Sequence, residues 1–381
     1  MNRKLLRMLA VAGPMASGLA LASLPSPSAA QSDILLRLRS GSPPGDRFRV
    51  DSAGGVVAIG ELGIGIIPAS GAGYRMMWYP FKAAFRAGGT DDGGAGNYWD
   101  DANVGFYSWA GGNLTKASAF ATFAFGDQVE VTGVDGAAFG GSNTVSGTAG
   151  FSTGASNNCT GFGCVAMGFT NTAGGQGAVA IGYRVTADAD YAVSLGHRAS
   201  ANGHDGTFNA ADQSTTDSLE ASANNQFNTR YAGGYRLFTN ATTTTGVSLN
   251  AGGSSWNVIS DRNRKELFLG VDGEDILARL RRVPVTSWNY IDEGRHVRHI
   301  GPMAQDWHAA FGLNDDPLTI NSGDFDGVNL AAIQALERRT AELRAAQEEL
   351  RRAQAELATK ARRIDDLEAR IARLEALARQ R

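Results

Sequence analysis

The chain has no excess of charge of either sign, very little cysteine or histidine, and no long apolar run after its first thirty residues. Its formal net charge is −3 over 381 residues, which gives no electrostatic basis for holding nucleic acid or an anionic membrane. The two cysteines and five histidines never fall at metal-ligand spacing, so neither a metal nor a cofactor is expected. His296 and His299 lie close to Asp306 but read as structural or surface imidazoles. Asp91-Asp92 and Asp100-Asp101 could pose as the carboxylate pair of a glycosidase. They stand in Gly-rich loops, where Asp mostly makes turns. Cys159 and Cys164 can pair in an oxidising compartment or pack as two small buried thiols, and spacing alone does not choose between these.

The apolar run that does exist is N-terminal. Arg3, Lys4 and Arg7 precede Met8–Leu24, and Ser28-Ala29-Ala30 supplies small residues for cleavage. This reads as a secretory signal over residues 1–30, removed after Ala30. A membrane anchor is the alternative, but Gly13, Pro14 and Gly18 interrupt a run already short for the ~20 residues a span needs. The mature chain is therefore expected to be secreted or held at the cell surface, with no membrane span.

What remains is too long for one core, so two or three domains are expected. Residues 1–259 hold 42 of the 49 glycines, whereas residues 260–381 hold 41 charged residues in less than half the length. A boundary near residue 260 follows. Residues 31–117 read as a β region of short strands and turns, for example Phe48–Asp51 and Val56–Gly60. Its dense aromatics, from Trp78 and Tyr79 through Trp99 to Phe106, Tyr107 and Trp109, are expected to fill a small core rather than to form a platform for a glycan.

Residues 118–203 carry a repeat. Gly126, Gly140, Gly154, Gly168, Gly182 and Gly196 are spaced by 14, each preceded by a small-and-large apolar triplet such as Val179-Ala180-Ile181. Each unit suits a short strand with one buried face, followed by a glycine that makes the turn. One coil cannot bury its own apolar face, so the units should stack as a solenoid. Six coils at ~4.8 Å give a rod roughly 30 Å long. The Ala-Val-Ala-Ile-Gly pattern resembles the left-handed β-roll head of trimeric autotransporter adhesins, which implies three rolls side by side. The four-strand membrane anchor of that family has no counterpart here, so its outer-membrane attachment is not implied.

Residues 204–259, polar and rich in Thr, Asn and Gly, read as a neck in which Asn225–Arg230 pairs with Gly233–Phe238. Residues 336–381 read as a coiled coil. Leu336, Leu343, Leu350, Leu357, Ile364 and Ile371 fall seven apart, and Ala346, Ala353, Leu367 and Leu374 supply the second seam position. Arg339 and Lys360 interrupt that seam.

Between neck and coil lies Ser260-Asp261-Arg262-Asn263-Arg264-Lys265. A Ser and a Lys five apart are usually solvated surface, but here they sit on the composition boundary. The blocks that follow are Val283-Pro284-Val285, Trp288-Asn289-Tyr290, His299-Ile300-Gly301-Pro302-Met303-Ala304-Gln305-Asp306 and Asp326–Leu336. In that order, residues 260–335 resemble the C-terminal intramolecular chaperone of phage tailspikes and endosialidases, serine peptidase family seventy-four. Leu267-Phe268 departs from the polar-then-aliphatic pair usual in that family.

The resemblance implies an α+β domain that directs assembly of a homotrimer and then cuts itself off between Ile259 and Ser260. Ser260 would be the nucleophile, Lys265 its base, and Asp261 a supporting residue that orients the turn or caps a helix. Lys265 can take a proton only when neutral, and burial at an assembled interface would lower its pKa from the reference ~10.4. The expected fold is thus mostly β, with a β-roll head, a chaperone domain and a C-terminal trimeric coiled coil. The head's ligand, on a host surface or a glycan, stays open. Two rival readings are a secreted tailspike-like protein that degrades or binds glycans with the chaperone as an auxiliary, and a chaperone that does not cleave. The myelin regulatory factor class also uses this domain, before a membrane span, and the N-terminal signal argues against that role here.

Overall fold

A computed structural model describes residues 34–379 apart from 42, 43 and 92; the secretory signal expected over residues 1–30 lies outside the described residues. The chain divides into two units, one ending at Ala232 and one running from Gly233 to Arg381.

In the first unit the 14-residue repeat closes into a β-solenoid of about seven turns. Each turn supplies a five-residue strand and a two-residue strand, as in Phe123–Asp127 with Glu130–Val131. Both kinds pair in parallel with the next repeat, in register: Ala137 faces Phe123 and Phe151, and Thr144 faces Glu130 and Asn158.

The repeating glycines have a different task from the one expected. They lie inside the strands, not at the turns. A Cβ on Gly140 would stand 2.1 Å from the carbonyl oxygen of Gly154, and one on Gly154 the same distance from that of Gly168. Glycine is needed there because successive coils stack backbone on backbone. The corner comes two residues later, where Gln128, Ser142, Thr170 and Arg184 adopt positive φ between 52° and 57°.

The coil interior is narrow, so its residues are small. Ala124, Ala138, Ser152, Ala166, Ala180 and Ser194 line one wall, with Val131, Val145, Cys159, Ala173 and Ala187 on the other, all fully buried. Cys159 and Cys164 are joined as a disulfide, with Cα atoms 5.7 Å apart. They are not free thiols. They take positions held by Val145 and Ala178 in neighbouring coils. One corner holds a buried amide ladder. Asn157 Oδ1 accepts from Asn171 N at 3.0 Å and Asn171 Nδ2 at 2.9 Å, and Asn157 Nδ2 donates to Asn143 Oδ1 at 3.0 Å. Each buried amide thus finds partners in the next coil, as buried polar groups must. Val129 and Val185 occupy the same corner beyond each end of the ladder and are fully buried.

The parallel ladder outruns the six glycine-marked units. It begins at Ala84–Thr90, which is itself paired antiparallel with Gly73–Tyr79 at the edge of the sheet, takes in Trp109–Asn113, and continues through Phe208–Ala211 to Phe227–Arg230. The expected neck pairing of Asn225–Arg230 with Gly233–Phe238 therefore does not form. Phe227 stacks on Phe208 across the ladder, ring centroids 5.1 Å apart. Strand Gly234–Phe238 instead turns back at Asn240 and pairs antiparallel with Gly246–Asn250.

The aromatic expectation for 78–109 holds only in part. Tyr79 and Trp99 are buried, and Trp99 Nε1 donates to Thr115 O at 2.8 Å. Phe106, Tyr107 and Trp109 are exposed. Trp109 stands between Phe85 and Phe123 in an outward row of the solenoid sheet, and Phe125, Phe139 and Ile181 extend the exposed apolar face. Arg86 points inward in register with Ala110 and is fully buried. Its guanidinium donates to the carbonyls of Phe85, Ser108 and Ala117, and burial pushes it down to about 10. It ends the apolar core with a hydrogen-bonded plug, as terminal repeats of solenoids require.

The second unit opens with a three-stranded antiparallel sheet, Gly234–Phe238, Gly246–Asn250 and Asn257–Val258. Helices α1 (Gly273–Leu280), α2 (Ala304–Phe311) and α3 (Ser322–Arg379) follow, with a two-stranded pair, Thr286–Trp288 and His299–Gly301, between α1 and α2. Ile276, Val283, Trp307, Val328 and Ala332 make their core. Gly273 lets α1 lie close on α3, since a Cβ there would be 2.8 Å from the Ala335 methyl. Helix α3 runs 58 residues, compatible with a coiled coil, and its seam from Leu336 to Ile371 is exposed in the single chain. The two seam interruptions have partners: Arg339 holds Glu274 of α1, and Lys360 holds Glu356 at 2.6 Å.

Candidate functional site

The site is built from the end of the three-stranded sheet and the turn that follows it. Strand Asn257–Val258 is an edge strand, and its last backbone bond runs from Ile259 N to Gly246 O at 3.2 Å. Gly246 has φ 155°, and a Cβ there would lie 2.0 Å from Leu237 O, so glycine is required for this closure. The peptide joining Ile259 to Ser260 therefore begins where the sheet lets go.

Asp261 then starts a 3₁₀ turn, Arg262–Arg264. Its Oδ1 accepts from Asn263 N at 2.9 Å, and Arg264 lies 3.8 Å from its carboxylate. Asp and Ser readily take such capping positions because a short side chain can satisfy an otherwise free N–H. The turn folds the chain back by one short loop and sets Lys265 over Ser260. Lys265 Nζ donates to Ser260 Oγ at 2.6 Å.

The structure thus brings Ser260 and Lys265 together and gives Asp261 to the turn rather than to the hydroxyl. Ile259, Ser260 and Lys265 are all exposed. The apolar side chains nearest in sequence, Trp256, Val258, Leu267, Phe268 and Leu269, are exposed as well. A charged ammonium donates to the hydroxyl in this arrangement. With a neutral amine the same contact carries the proton the other way, from Oγ to Nζ, which is what a nucleophilic serine needs.

The other residues weighed in the sequence take structural places. Asp101 accepts from Tyr79 Oη at 2.7 Å and pairs with Lys82 at 3.1 Å, while Asp100 Oδ1 accepts from Gly71 N at 2.6 Å. The bonds from Tyr79 and Lys82 hold Asp101 below the usual carboxylate range, and burial together with Asp101 pushes Tyr79 up to about 12. Asp91 Oδ1 accepts from Gly93 N at 3.0 Å, a turn contact, and Asp92 lies outside the described residues. His299 Nε2 sits 2.8 Å from Glu293 Oε2 and packs on Trp288 at 4.7 Å. Among the described residues no group of three or more His, Cys, Asp or Glu could hold a metal, and no helix is long and apolar enough to cross a membrane. Gly246 was not visible as a site residue, since a lone glycine in a Thr-rich turn carries no signal of what it will face.

Residues 260–313 match the family model described as the chaperone of endosialidase. The match begins at Ser260, the residue at which the geometry above places the candidate nucleophile. No curated protein and no solved structure matches the chain. Residues 260–313 are therefore similar to the chaperone of endosialidase, a likeness that covers about a seventh of the chain.

Proposed function

We propose that the chain is an exported homotrimeric fibre or adhesin-like protein whose C-terminal segment directs assembly and then cleaves the bond between Ile259 and Ser260. The observation that carries this is the 2.6 Å contact between Ser260 and Lys265 at the first residues of the chaperone match.

In the reaction, Lys265 takes the Ser260 hydroxyl proton as Oγ attacks the Ile259 carbonyl carbon. The tetrahedral adduct collapses by breaking the C–N bond, and the proton passes to the released α-amine of Ser260. Ile259 is then esterified to Oγ. Water hydrolyses that ester, leaving an Ile259 carboxylate and a free Ser260 hydroxyl. Asp261 supports the geometry by holding the turn that carries Lys265.

Two apolar surfaces left open in the single chain support self-assembly: the outward rows of the solenoid sheet around Trp109, Phe125 and Phe139, and the α3 seam. Contiguous exposed apolar surface of this kind marks an interface. The buried Cys159–Cys164 disulfide supports export, since such bonds persist in oxidising compartments. The test is intact mass on residues 31–381 and on the Ser260→Ala variant. Fragments ending at Ile259 and starting at Ser260 in the parent, with an uncut variant, are expected. An uncut parent trimer would leave an assembly clamp without peptidase activity.

A further inference from the structure

Within one copy of the second unit, two elements that ought to be covered are both open. The first is Leu267–Val271, directly after Lys265. Leu267, Phe268, Leu269 and Val271 are 87%, 57%, 89% and 68% exposed. Among the described residues no hydrogen bond engages the backbone of this segment, and Leu267 sits at φ 55°, a costly conformation for a branched residue. The segment holds no proline, so every residue offers an N–H.

The second element is the pair Thr286–Trp288 and His299–Gly301. It has only two strands, three residues each, and such a pair is marginal alone in water. Trp288 and His299 pack together on one face, with rings 4.7 Å apart. The neighbouring position on the other face holds Ile300, 80% exposed. Beyond the pairing between the two strands, both outer edges lack a strand partner among the described residues.

We propose that Leu267–Val271 of one copy adds as a third strand to the Thr286–Trp288 and His299–Gly301 pair of a second copy, laying Leu269 and Val271 over Ile300. This rests on the reading that copies of the chain assemble. An unpaired segment and an unpaired sheet edge satisfy each other's backbone groups, which is how strand addition gains its affinity. The occupant is another copy because the segment's own chain leaves both elements open although they belong to one folded unit. Each copy gives one strand and takes one, so a threefold ring closes with none left over.

The consequence reaches the candidate site. Lys265 stands two residues before Leu267, so seating the segment draws its amine into the junction between copies and away from water. Cleavage would then wait for the ring to close, because the base is completed only when the following five residues find a neighbour.

The experiment uses the full chain with Ser260→Ala, so that nothing is released. Two differently tagged versions are coexpressed, one carrying Leu269→Cys and the other Ile300→Cys. Each chain has one new thiol, so a disulfide between these positions joins two copies. Mild oxidation is expected to shift the band to the mass of two chains, with the 269–300 peptide pair identified by mass spectrometry. Light scattering gives the oligomeric state of the same sample. Assembled trimers with no 269–300 link would overturn the strand exchange while leaving assembly intact. A monomer would overturn the assembly reading beneath it.

Discussion

Arg339 of α3 reaches back 65 residues to grip Glu274 of α1, its Nε 3.1 Å from Oε1 and its second nitrogen on Oε2. The pairing with Glu274 raises the arginine's pKa, in the direction expected of a cation beside a carboxylate. Arg339 falls on a seam position of the heptad, where an apolar residue would serve a coiled coil better. Its place there is explained by α1. At this turn the helix packs against α1 on one side and begins the exposed heptad seam on the other. Arg339→Leu should therefore leave the helix melting temperature unchanged or higher while hydrogen exchange at Gly273–Leu280 becomes faster. Unchanged exchange in α1 would mean the ion pair does not hold that helix.

Lys265→Arg separates charge from base function at the candidate site. Arginine keeps a cation and a donor within reach of Ser260, but its guanidinium stays protonated under ordinary conditions. Self-cleavage should be lost as completely in Lys265→Arg as in Lys265→Ala, read as the fraction of intact chain by mass. Appreciable cleavage with arginine would show that the cation stabilises charge and that some other group takes the proton.

The repeat and the α3 heptads were legible because each is written as a fixed interval in the sequence, whereas the Ser-Lys segment, whose spacing alone says little, stood out by its place on the composition boundary and by the blocks that follow it. A 14-residue period makes Ala137 face Phe151 whatever else happens. The solenoid's ends were not legible. Val193 pairs with Phe208 and Phe208 with Phe227, so the spacing stretches from 14 to 15 and then 19 residues, and the period is lost although the ladder continues. The strand glycines read as turn residues because glycine is the usual turn former, whereas what demands glycine is the carbonyl of the next coil. The exposure of Ser260 and Lys265 agrees with the usual reading of such a pair as solvated surface, but the turn that joins them, held by Asp261 on Asn263 N, is local geometry that the spacing alone does not give.

The amide ladder gives a stability prediction. Replacing Asn157 by Val matches the residue found at Val129 and Val185, so the volume fits. It still strips the acceptor from Asn171 N and Nδ2 and the donor from Gly168 O. Each buried group left unpaired costs roughly 1–3 kcal/mol. Asn157→Val should lower the head's melting temperature clearly, while Val185→Leu, with no polar partner to lose, tests packing alone. Equal small losses in both would mean the ladder adds little beyond shape.

The Tyr79–Asp101–Lys82 group sets two edges to the pH range of the head. Tyr79 is raised to about 12, so its contribution is complete below the ordinary tyrosine value of ~10 and is lost as pH climbs from there toward 12. Asp101 is lowered, so its contribution is present above the ordinary carboxylate value of ~3.9 and fades as pH falls below it. Tyr79→Phe should remove the alkaline loss and, by taking away a bond to the carboxylate, shrink the acid one. Thermal melts across pH would show this as a flatter profile; a profile unchanged from the parent would deny the pair any role in stability.

Two glycines nine residues apart in the solenoid should answer oppositely to one substitution. Gly154 lies within a strand at φ 107°, and a Cβ there would stand 2.1 Å from Gly168 O. That carbonyl is backbone of the next coil and cannot turn aside, so the coils must part or the strand must buckle. Gly163 lies at a corner at φ 63°, with nothing within 4 Å of its would-be Cβ. The same corner one and two coils earlier is occupied by Ala149 and Asp135 at φ 55° and 58°, so L-residues are accepted there. Gly163→Asp should therefore cost no more than about 1–2 kcal/mol, the ordinary penalty of a left-handed non-glycine residue. Gly154→Ala should disrupt the ladder, seen as loss of the cooperative melt or failure to recover soluble head. If both variants melt alike, coil stacking is looser than the backbone contacts require, and the glycine period would have to be explained by the turns after all.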